Sequence, residues 1–202
     1  MKTRVLVMIF AMSFCRLSYA GIFDFHPAEK LKEADYMMSI NRPIASDKLI
    51  NDSLVFCRKS NDEECLSMAY YLYGKLLMYW LPDNYDRRKS SDRSMLSHVD
   101  KDVTVGNIYQ KSLEYLEKGL VIAQSSRNNG IIPGIYVKMG LLQFQYLKDK
   151  VSACSSFDQA LASFQLYAKD IHPDELKVVL PKGFKSFEEY IVQGKSEMGC
   201  RN

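Results

Sequence analysis

Five cysteines and three histidines are the residues of this chain best suited to redox, metal or nucleophilic chemistry. His26, His98 and His172 are scattered, and none has a second metal ligand at the three- or four-residue spacing that places two side chains on one helix face. An HExxH zinc motif, a G-x-S-x-G elbow, an S-x-x-K pair and the glycine patterns that cradle phosphates are all missing. Adjacent carboxylates stand at Asp62-Glu63-Glu64, Asp174-Glu175 and Glu188-Glu189, where an acid and base for glycoside hydrolysis would be sought first. Each group falls near an expected helix start, and there the helix dipole favours negative charge without any catalysis. No catalytic residue, metal ligand or cofactor is therefore assigned, and the chain is expected not to be an enzyme.

The cysteines point to a compartment. Residues 1–20 carry Lys2, Arg4 and Arg16, no acid, and an apolar run from Val5 to Phe14. Ser18-Tyr19-Ala20 then places small residues at the −3 and −1 positions of a cut before Gly21. That order of basic start, short apolar middle and small-x-small end describes a secretory signal peptide. A membrane anchor needs about 20 apolar residues, and Arg16 stops this run short. A lipidated Cys15 is a further alternative that Phe14 and Met12 fit poorly.

The 202 residues hold 27 Lys and Arg against 24 Asp and Glu, a surplus of +3. All of that surplus lies in the signal segment, so residues 21–202 are neutral. No basic stripe suggests nucleic acid, and contact with a membrane is expected only through the signal. Four cysteines remain after the cut, Cys57, Cys65, Cys154 and Cys200. In an exported chain an even number reads as two disulfides. Of three connectivities the spacing favours Cys57–Cys65 and Cys154–Cys200, with free buried thiols as the alternative. The expected location is periplasmic in a Gram-negative bacterium and secreted otherwise.

The elements that position these residues read as helices almost throughout. Apolar residues recur at three- and four-residue spacing from Pro27 to about Ile40, Ser46 to Arg58, Cys65 to Trp80, Thr104 to Ser126, Pro133 to Lys148, Val151 to Asp170, and Phe184 to Met198. Leu49, Ile50, Leu54 and Val55 are expected to face inward, and Ser60 with Glu63 forms a capping-box pattern. A polar insert, 82–103, interrupts the series. The expected fold is all-α, a single domain of five to seven helices stapled by disulfides.

Two segments match each other. Ser112, Leu116, Gly119 and Leu120 share their offsets with Ala153, Phe157, Ala160 and Leu161, 41 residues on. Upstream of each stands a glycine inside an apolar helix, Gly74 and Gly140. Glycine costs roughly 0.8–1 kcal/mol against alanine in a helix interior, so both are expected at close helix crossings. Gly140, Ala153, Phe157 and Ala160 resemble the tetratricopeptide repeat, and more loosely the Sel-type repeats, over roughly 65–80 and 104–170. The resemblance implies antiparallel helical hairpins interlocked through these small and large positions in a right-handed stack. The family's Trp and Tyr are missing from their usual slots in the second unit, and its turn is one residue longer.

Such repeats work by presenting a preformed face to a protein partner. The aromatic cluster Tyr70, Tyr71, Tyr73, Tyr79 and Trp80 is expected to be mostly core, with Tyr71 and Tyr79 free to point outward. Long loops in compact domains tend to be functional or disordered. Tyr85, Arg87, Arg88, Arg93 and His98 of the insert therefore join Tyr71 and Tyr79 as candidate partner contacts. By analogy the expected role is an immunity-type inhibitor of a secreted toxin. Alternatives are an assembly or pilotin factor of an envelope machine, an α-helical hydrolase, and a small-ligand or lipid binder with helix 65–80 as its wall.

Overall fold

Prolines and asparagines punctuate the chain into seven α-helices among the described residues, 26–80, 97–171, 180 and 182–200 of a computed structural model. These are α1 (Pro27–Ser39), α2 (Pro43–Ser60), α3 (Glu63–Tyr79), α4 (Ile108–Ser125), α5 (Ile132–Leu142), α6 (Lys150–Asp170) and α7 (Phe187–Met198). Pro27, Pro43 and Pro133 each sit in a first turn, where the missing N–H costs no hydrogen bond. Asn41, Asn61 and Lys148 reverse the chain at φ of 57°, 53° and 60°, the left-handed region that asparagine tolerates better than most residues. A π-helical turn, Gln143–Leu147, extends α5 before Lys148 ends it.

Several sequence expectations need correction. The cap of α3 is Asp62, whose carboxylate accepts from the Cys65 N–H at 2.9 Å, and Ser60 is instead the last residue of α2. Ser60 cannot cap because the Asn61 turn intervenes. Val55 is 58% exposed, since the face that α2 turns inward is made by Ser46, Asp47, Ile50, Ser53, Leu54 and Cys57. The fourth helix begins at Ile108, and Thr104 instead exchanges hydrogen bonds with Asn107 just before it. The last helix begins after Ser186, whose hydroxyl accepts from the Glu189 N–H. Residues 97–103, expected as polar insert, are partly core: Ser97 and Val103 are buried.

Consecutive helices pair as antiparallel hairpins, α1 with α2, α3 with α4 and α5 with α6, and α7 packs on α6. Successive hairpins meet mainly through α2 against α3 and α4 against α5, and the first helices also touch, α1 with α3 and α3 with α5. The two singled-out glycines lie where the helices of a hairpin cross. A Cβ on Gly74 would stand 2.7 Å from Leu116 Cγ and 3.0 Å from the Ser112 carbonyl oxygen. On Gly140 it would stand 2.4 Å from the Phe157 ring and 3.3 Å from the Ala153 carbonyl oxygen. Both crossings thus use a glycine, a small residue and a large one in the same order.

One core spans α1 to α5 around Tyr73, Leu76, Leu77 and Leu116, and a second gathers Phe157, Phe164, Phe187 and Ile191 from α6 and α7. Side chains of this size each contribute roughly 1.5–3 kcal/mol by full burial. Two disulfides staple the stack. Cys57–Cys65 spans the turn between α2 and α3, and Cys154–Cys200 ties the chain just past Gly199, the cap of α7, to the second turn of α6. Disulfides of this kind persist in oxidising surroundings. Among the described residues no helix is long and apolar enough to cross a membrane.

Candidate functional site

The parallel first helices α1 and α3 leave a groove of about 560 Å³ between them. Helical spacing builds both walls. Ala28, Leu31, Lys32 and Asp35 line up at three- and four-residue steps on α1, and Met68, Tyr71, Leu72 and Lys75 do so on α3. The floor is apolar, with Leu31 and Leu72 buried in the core behind it. The rim is charged, with Lys32, Asp62 and Glu64 exposed along it beside the small Ala28.

Lys75 closes the lining of the groove on α3, and about one turn beyond it α5 brings a cation, Lys138, against Tyr79. Asp35 forms an ion pair with Lys75. Lys138 donates to the Tyr79 hydroxyl at 3.1 Å, with its ammonium 5.3 Å from the Tyr79 ring centre. Burial pulls the Lys138 ammonium below its ordinary pKa, and the Asp35 carboxylate only partly opposes that. No carboxylate among the described residues forms an ion pair with it. Burial likewise pushes the Tyr71 phenol well above its usual range, helped by the Asp35 charge, so it is a neutral hydrogen-bonding group. Tyr79 is nearly half exposed, and burial still raises its phenol against the opposing Lys75 charge; Tyr190 of α7 lies close enough to add to the rise at Tyr71.

Of the candidate contacts, Tyr71 and Tyr79 therefore meet on this face. Tyr85, Arg87, Arg88 and Arg93 lie outside the described residues, as do the signal segment 1–20, Cys15, His172 and the Asp174-Glu175 pair. Asp35, Lys75, Lys138 and Tyr190 were not singled out by sequence. Their partners are distant in the chain, although Tyr71, Lys75 and Tyr79 do fall at i, i+4 and i+8 on an otherwise apolar helix, a line that marks a face.

His98 lies elsewhere. The fully buried Asp47 carboxylate accepts from Ser97 Oγ at 2.7 Å, from the His98 N–H at 2.6 Å and pairs with His98 Nδ1 at 2.7 Å. Ser97 Oγ also meets the Tyr73 hydroxyl at 2.7 Å. Serine, histidine and aspartate converge here, but the serine bonds to the carboxylate and not to the imidazole. The network fastens residues 97–100 to the core; it does not activate the hydroxyl as a nucleophile. Asp62 caps α3, and Glu188 and Glu189 stand in the first turn of α7, as their proximity to helix starts implied. Among the described residues no cluster of His, Cys, Asp or Glu could hold a metal ion.

No protein-family model, no curated protein sequence and no solved structure matches this chain.

Proposed function

We propose that this is a protein-binding module of an oxidising, exported compartment, and that the groove along α1 and α3 receives a segment of its partner. One observation carries the reading: an apolar floor formed by two parallel helices lies beneath a rim of exposed charges. Hydrophobic floors with polar rims are the usual anatomy of recognition surfaces. The Cys57–Cys65 disulfide and the tight α3–α4 crossing hold the α3 wall in place before binding, which lowers the ordering cost of association. Within this reading the first-ranked role is immunity-type inhibition, in which a small stapled domain occupies a secreted toxin. A scaffold of an envelope machine ranks second. The groove volume also falls within the range of small-molecule sites, which keeps a small-ligand role as the reading of another class.

The test uses Ala28→Trp, which places an indole in the groove from an exposed position. The disulfide-intact protein is used to capture partners from the secreted and envelope proteins of its source. A partner retained by the wild type and lost by Ala28→Trp supports the groove, and stoichiometric loss of that partner's toxic activity supports inhibition. Equal capture by both proteins contradicts the reading.

A further inference from the structure

The groove is electrically lopsided, and this rests on reading it as the partner site. At the start of α3 stand Asp62 and Glu64, neither ion-paired among the described residues. Asp62 spends one oxygen on the Cys65 N–H. Near the other end Lys75 and Asp35 neutralise each other. About one turn farther along α3, the half-buried Lys138 donates to the Tyr79 hydroxyl and has no ion pair among the described residues. Lys32 is exposed on the α1 wall between them, with no ion pair among the described residues.

From Glu64 to Tyr79, where Lys138 is held, the α3 axis rises about 22 Å at 1.5 Å per residue. An extended strand covers that distance in about seven residues. The apolar floor of Leu31, Met68 and Leu72 lies between the two ends. We propose that the partner segment is an extended stretch carrying Lys or Arg at one end and Asp or Glu about seven residues away, with an apolar side chain between. Its basic residue meets Asp62 and Glu64, its acidic residue meets Lys138, and its apolar residue enters the floor. Complementary charge at both ends fixes the direction in which the strand lies, which a uniformly apolar groove cannot do. The cost of keeping Lys138 half-buried without a carboxylate in the free protein is offset when the partner supplies one.

The probe is a library of random dodecamer peptides displayed on phage and selected on the immobilised oxidised protein, with Ala28→Trp as the counter-selection. Selected peptides are expected to carry the basic–apolar–acidic order at about six- to eight-residue spacing. Glu64→Lys and Lys138→Glu should each weaken a selected peptide roughly 3- to 10-fold. Reversing the matching charge on the peptide should restore most of that loss. Glu64→Gln and Lys138→Met, each checked for an unchanged circular dichroism spectrum, should give the same losses should charge reversal disturb folding. Peptides that are excluded by Ala28→Trp yet lack the charge order, or losses that no peptide reversal restores, overturn the inference and leave the groove standing as the site. Selected peptides indifferent to Ala28→Trp overturn the groove itself.

Discussion

Phe157 is held between two glycines on different helices: its ring would lie 2.4 Å from a Cβ on Gly140 and 2.9 Å from one on Gly194. An exposed helix glycine gains up to about 1 kcal/mol when replaced by alanine. Here the ring is fully buried and cannot retreat from one side without meeting the other. Gly140→Ala and Gly194→Ala are both expected to destabilise, by about 1–3 kcal/mol as in other overpacked cores, with chemical denaturation as the measure. A gain in stability for either would show that the crossing is looser than described. Lys138 behaves in the opposite sense. Burial pulls its pKa down, so its charge is a cost to the free protein, and Lys138→Met should raise the unfolding midpoint while weakening the partner. A variant that loses stability and binding together would mean that Lys138 is structural. Asp47→Ala should cost about 2–4 kcal/mol, because the buried Ser97 hydroxyl and the His98 N–H lose their acceptor together.

The elements were legible where local chemistry decides them. Proline, asparagine and apolar period mark all seven helices, and Gly74 and Gly140 mark crossings because only steric need justifies glycine in an apolar helix. Boundaries were less legible. The Ser60 and Glu63 pattern competes with Asn61, whose left-handed turn ends α2 and hands the cap to Asp62. Val55 reads as inward by hydrophobicity alone, yet α2 is an outer helix and turns it to solvent. The groove was half legible: Tyr71 and Tyr79 share a face by spacing, but Asp35 and Lys138 reach it only through tertiary packing. The staples follow the spacing of the cysteines, and their separations of 8 and 46 residues rank them. Chain entropy assigns about 2.5 kcal/mol to the shorter loop and about 4 kcal/mol to the longer. Cys154→Ser with Cys200→Ser should therefore lower the denaturation midpoint more than Cys57→Ser with Cys65→Ser. The reverse order would place the weight of the fold at the α2–α3 turn.

Across the whole molecule, ionisable groups confine stability to a middle range of pH. Burial raises the phenols of Tyr71, Tyr73 and Tyr115 well above their ordinary value. Their contribution is complete below about pH 10, where the unfolded chain's tyrosines begin to ionise, and is lost as pH climbs toward the folded values. Burial opposes ionisation of Asp100, but hydrogen bonds from the Asp102 N–H, Lys111 and Tyr115 hold its carboxyl below the usual range. The Lys118 hydrogen bond does the same for Glu114. Their contribution is present above about pH 4 and is lost as pH falls through the lowered values. Thermal midpoints should accordingly decline below about pH 4 and above about pH 10, and a flat profile to either extreme would contradict these assignments. Within that range the described residues form a stapled stack that carries a charged, apolar-floored groove, and binding in that groove is the function proposed. Isothermal titration of a selected peptide or captured partner against wild type, Ala28→Trp and Val121→Asp tests it most directly, Val121 being 64% exposed on α4. Affinity should fall at least about tenfold, or 1.4 kcal/mol, for Ala28→Trp and hold within about twofold for Val121→Asp. Wild-type affinity in Ala28→Trp would contradict the account.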